Sequence, residues 1–212
     1  MKKTDEKKYK IIAICNIVAM AFFLIVGAYN IFNSYFYRTH GGSPSMILGI
    51  VVEVIRLINK IVLGISILSL GKANKNYIAA GALCILQQAV FFTSDFISGS
   101  VHKPLMAVSM VLLVVYNLFF STATQKAFDQ IDGSVWDFWK KFRTQYLIAY
   151  LALAVFAVSS LIPGFGMFCA FACALIALYA AFLNILMIIY IFKAAKSISE
   201  AELNQDLSGN EL

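Results

Sequence analysis

Apolar residues in this chain come in long uninterrupted runs rather than in alternation. Between Lys10 and Arg38 no charged residue occurs, and further apolar runs span about residues 46–70, 77–97, 104–124, 144–162 and 167–192. A hydrocarbon layer about 30 Å thick is crossed by roughly 20 helical residues, so each run is long enough to span it. Backbone groups in lipid must satisfy their own hydrogen bonds, and no period-two pattern suggests a barrel. The predicted fold is therefore all-α: one polytopic integral membrane bundle of six transmembrane helices over residues 11–192. The first run, about 11–36, exceeds the roughly 7–15 residues of a cleavable signal's hydrophobic region, so it is read as a retained span.

The breaks between runs carry turn chemistry. Residues 1–10 form a basic tail, Arg38 to Ser45 (RTHGGSPS) an exposed loop, Lys72 to Lys75 a short turn, and Ser98 to Lys103 a loop before Pro104. Pro163-Gly164-Phe165-Gly166 divides a charge-free stretch into a fifth span and a sixth. Between Lys126 and Arg143 the residues Val135, Trp136, Phe138, Trp139 and Phe142 approximate a helical apolar face. Ser134 followed three residues later by Asp137 is a capping-box variant, which predicts a short interfacial helix before the fifth span. Residues 193–212 are read as a polar tail.

Composition agrees with this class. Of 212 residues 61% are hydrophobic and 13% charged, with mean hydropathy +0.81, against about 25% charged in soluble domains. The net charge of +6 does not point to nucleic acid, because the cations flank the spans. With the N-terminus inside, thirteen cations fall in inner segments and two, Arg38 and Lys103, in outer loops. The positive-inside rule then places both termini in the cytoplasm, and a bacterial cytoplasmic membrane is the expected location. Cys15, Cys84, Cys169 and Cys173 lie within apolar runs and are expected to be packing thiols, not disulfides.

Candidate chemistry concentrates on the second run, where Glu53, Arg56 and Lys60 interrupt the apolar sequence. Charges within spans are costly and mark substrate or ion paths. At i, i+3 and i+7 they share one helical face about 10 Å long. Folding the second and third spans as a hairpin about Asn74 sets Glu53 level with Asp95 and Lys60 level with Gln88. Glu53, Arg56, Lys60, Gln88 and Asp95 are the candidate substrate-binding residues, lining an outward-opening polar cavity for a polar or zwitterionic solute or ion. The same charges also admit a plainer role, in which Glu53, Arg56 and Asp95 neutralise one another and lock two helices. Trp136, Trp139, Ala170 and Ala174 are candidate contacts for a cytoplasmic or membrane partner subunit, the two alanines because small residues four apart permit close helix approach.

Enzyme chemistry finds little footing. His40 and His102 are both expected in outer loops, no catalytic serine, zinc or phosphate-loop motif occurs, and no cofactor or metal is expected. Size, six spans and an outward-facing site make the chain architecturally similar to the substrate-binding membrane subunits of energy-coupling-factor importers, a likeness of shape carried by no motif. The expected function is a small transporter or transport subunit. The alternative is a sensor, assembly factor or accessory subunit whose charges pair with partner helices.

Overall fold

Each apolar run folds as a helix, as hydrocarbon demands of a backbone that has no water to bond with. A computed structural model describes residues 3–40, 46–96, 101–159 and 166–209. The core of the RTHGGSPS loop, the 97–100 segment and the Pro163-Gly164-Phe165 turn lie outside the described residues. The helices are α1 (Lys3–His40), α2 (Met46–Leu68), α3 (Asn76–Phe96), α4 (His102–Ala127), α5 (Gly133–Ser159) and α6 (Gly166–Gly209), with a 3-10 turn (Ser69–Lys72) after α2. No strand occurs among the described residues.

The helices form a closed ring. Each packs on its neighbours in sequence, and α1 packs on α6 to complete the circuit. Ile12, Leu63, Cys84, Phe120, Leu183 and Ile191 are buried within it, whereas Leu24, Ile65, Val111, Ile148, Val155 and Leu178 are each more than half exposed. That apolar perimeter suits acyl chains. Four helices carry stretches long and apolar enough to cross a membrane: Asp5–Val26, Asn76–Ser94, Pro104–Ala127 and Gly166–Ala201. Helix α2 falls outside this set because of its three charges, Glu53, Arg56 and Lys60.

Three expectations at the bundle's end are corrected. The basic tail is helical from Lys3, and its Tyr9 is fully buried. The residues after Lys193 are not a separate polar tail, because α6 runs on to Gly209 and buries Ala194, Ala195 and Ile198. The interfacial helix does not exist as a separate element. It is the first part of α5, which continues unbroken to Ser159 because no proline or glycine follows Gly133 within it. The cap of α5 also differs. Asp132, not Ser134, accepts hydrogen bonds through Oδ1 from the amides of Ser134 (2.9 Å) and Val135 (3.2 Å), while Asp137 pairs with Lys141 at 2.7 Å.

Aromatic rings tie the ring of helices together at this end. Tyr9 meets Phe128 edge-on at 5.7 Å, Tyr77 meets Phe120 at 5.9 Å, and Phe120 meets Trp139 at 5.4 Å. The series continues along α5 through Phe142 and Tyr146 to Tyr150. A run of hydroxyls accompanies it: Tyr9 bonds Tyr77, Tyr77 donates to Thr124 at 3.1 Å, and Thr124 donates to the Phe120 carbonyl at 2.9 Å.

Candidate functional site: the polar stripe of α2

Two glycines set the geometry of the α2–α3 pair. A Cβ on Gly81 would lie 2.7 Å from the Gly64 carbonyl oxygen and 2.8 Å from the Leu68 amide nitrogen, so the helices approach backbone to backbone. Gly64 faces Ile85 and Gly81, Gly71 faces Ile78, and Arg56 faces Phe91. Carried along the pair, this register sets residue 60 level with 88 and residue 53 level with 95, the depths expected from the hairpin. The side chain of Asp95 lies outside the described residues, as does that of Ala170; both backbones are helical.

The three charges of α2 divide into a pair and a single cation. Arg56 Nη2 lies 2.5 Å from Glu53 Oε2, and the guanidinium carbon sits 4.0 Å from the centre of the Phe91 ring. The acid and base therefore pair on one helix, with an aromatic face covering the cation. Lys60, one turn further on, stands apart. Its ammonium lies 5.7 Å from the centre of the Tyr116 ring, with Cys84 and Tyr150 as further polar neighbours. It is partly buried, and among the described residues no carboxylate pairs with it.

Gln88 is 2% exposed, and its amide nitrogen has no hydrogen-bond partner among the described residues. It lies one turn from Cys84 on the same face of α3. Gln87 points elsewhere, donating to Ser109 Oγ of α4 at 2.9 Å. Arg56, Lys60 and Gln88 thus gather along the α2–α3 pair, with Glu53 engaged by Arg56.

A residue missed in the sequence, Tyr116, stands beside Lys60. Tyr116 is 4% exposed, and its neighbour Asn117 donates to the Leu113 carbonyl and to the Tyr146 hydroxyl, both at 2.9 Å. Beside them lies a void with room for about one water molecule, lined in part by Asn16, Leu63, Tyr116, Asn117 and Met187. The only signal for these residues was a tyrosine, or an amide beside one, inside an apolar run, which core packing explains equally well.

The candidate partner contacts separate. Trp136 is half-buried, with Lys140 Nζ 5.1 Å above its ring, and Ala174 is exposed on α6. Trp139 is not available to a partner, because it is completely buried against Phe120, Phe138 and Phe142. His102 does not hang in a loop: it opens α4, and its Nδ1 lies 2.8 Å from the Ser94 carbonyl. Among the described residues no three His, Cys, Asp or Glu side chains converge as metal ligands, and the four cysteines are free thiols.

Fold and site together define an all-α protein with several helices of membrane-crossing length and a polar seam between two of its helices. No family model matches the chain, and no curated protein or solved structure proves similar to it.

Proposed function

We propose that this protein is a small membrane transporter, or the substrate-binding subunit of one, with its binding locus on the α2–α3 seam and both termini in the cytoplasm of a bacterial cell. The observation that carries the reading is Lys60: a partly buried cation in an otherwise apolar stretch of α2, set over the Tyr116 ring and paired with no carboxylate among the described residues. An intramembrane charge is expensive to keep, and structural need does not account for one without a partner. A bound solute supplies the missing interactions.

A second reading is favoured by a different observation. Glu53 and Arg56 pair with each other on one helix, as in a structural lock of an accessory subunit. Thermal unfolding of the purified chain against a panel of amino acids, carboxylates, amines and inorganic ions separates the two. On the binding reading at least one solute raises the melting temperature, and Lys60→Met removes that response while leaving the protein monodisperse. An accessory subunit would answer to none of them, and the same substitution would instead abolish capture of a partner in a pull-down.

A further inference from the structure

We infer that Lys60 and Gln88 form a recognition site for a small monovalent anion or the carboxylate of a small solute. This rests on the binding reading above and narrows its ligand. The acid and the base one turn away are engaged with each other, Arg56 to Glu53 at 2.5 Å, so they do not balance Lys60. What faces the same level from α3 is another donor, the Gln88 amide nitrogen, 2% exposed in its residue and without an acceptor among the described residues. Two donors lacking acceptors, one of them charged, call for an acceptor that carries negative charge. Charge-assisted hydrogen bonds of this kind are short and strong, and they strengthen where water is excluded. A cation would instead add to an uncompensated positive charge.

Size is limited by the same neighbourhood. Tyr116, whose ring lies 5.7 Å from the Lys60 ammonium, lines a void that holds about one water together with Leu63 and Met187; it is space beside Tyr116, and neither Lys60 nor Gln88 lines it. A halide or formate is of that scale. Larger carboxylates would need the helices to part.

The experiment uses the full-length chain in detergent, in sodium gluconate at constant ionic strength, with chloride, formate or choline exchanged in. The expected result is a saturable rise in melting temperature with chloride or formate and none with choline. Lys60→Arg retains that rise, Lys60→Met loses it, and Gln88→Leu weakens the apparent affinity by about tenfold or more. Without anion, Lys60→Met should melt at or above the wild-type temperature, since it removes an unbalanced charge; a lysine with a merely structural role would make that variant less stable in every buffer. Response to formate alone assigns a carboxylate solute, and response to chloride alone a halide. The inference is overturned if neither anion shifts the wild type, or if the shift survives in both Lys60→Met and Gln88→Leu. Should Lys60→Met not fold, Gln88→Leu alone decides. Stabilisation by choline that requires Arg56 would leave the binding reading standing and sink the anion; no response to any solute would sink both.

Discussion

One carboxylate, that of Asp132, joins three segments. It caps α5 through two backbone amides, accepts from the Ser134 hydroxyl at 2.5 Å, and accepts from Ser197 Oγ of α6 at 2.7 Å. Burial opposes its ionisation, but the hydrogen bonds from Ser134, Ser197 and Val135 prevail and hold its carboxyl at about 2, below the ordinary 3.8. Because the folded value is depressed, the stabilisation is complete above about pH 4 and fades as pH falls towards 2. Asp132→Ala should cost about 1 kcal/mol at neutral pH, the usual worth of a helix N-cap, and thermal unfolding should show the difference from wild type shrinking below pH 4. Tyr77→Phe should likewise cost about 1 kcal/mol by breaking the hydroxyl run from Tyr9 to Thr124, measurable by chemical denaturation in detergent. Neither residue was singled out from sequence. Ser134 with Asp137 fits a capping pattern as well as Asp132 does in sequence, and the amide bonds to Asp132 and its bond to Ser197, 65 residues away, distinguish them only in the structure.

At the scale of elements, the α2–α3 pair was the most legible part of the chain. Its short turn about Asn74 fixes the register, so residues at equal distance from it reach similar depth, and the contacts of Gly71 with Ile78, Gly64 with Ile85 and Arg56 with Phe91 follow it. The tightness of the pair was not legible, since Gly64 and Gly81 look in sequence like ordinary helix-weakening glycines. Gly81→Ala should destabilise by about 1–3 kcal/mol, because its methyl group would meet backbone atoms of Gly64 and Leu68, which cannot step aside. Gly64→Ala should cost less, its nearest obstacle being the flexible Ile85 side chain. Comparing the two melting temperatures tests this order. Helix ends were misjudged at α1, α5 and α6 for a shared reason. Polarity marks where lipid stops, but a helix stops where a proline, a glycine or the loss of packing ends it, and α6 meets neither a proline nor another glycine before Gly209.

For the whole molecule, hydrophobic pattern foretold helix number and order, while the split of the α2 charges into an ion pair and a lysine set over the Tyr116 ring needed coordinates. Charge spacing says which residues share a face; it does not say which will turn towards each other. The proposed orientation has a direct check. A green fluorescent protein fused at the C-terminus should fluoresce in bacterial cells, and alkaline phosphatase at the same point should be inactive; the opposite pattern would invert the bundle.

Contact between α1 and α6 has a consequence for biogenesis. Helix α1 must wait for α6 before both of its flanks are covered, and contacts so distant in sequence form late. Ala194, Ala195 and Ile198, which α6 buries beyond Lys193, come later still. A chain stopped after Lys193 should therefore reach the membrane yet stay open to proteases near Tyr9, as a barrel of staves stays loose until its hoop is driven home.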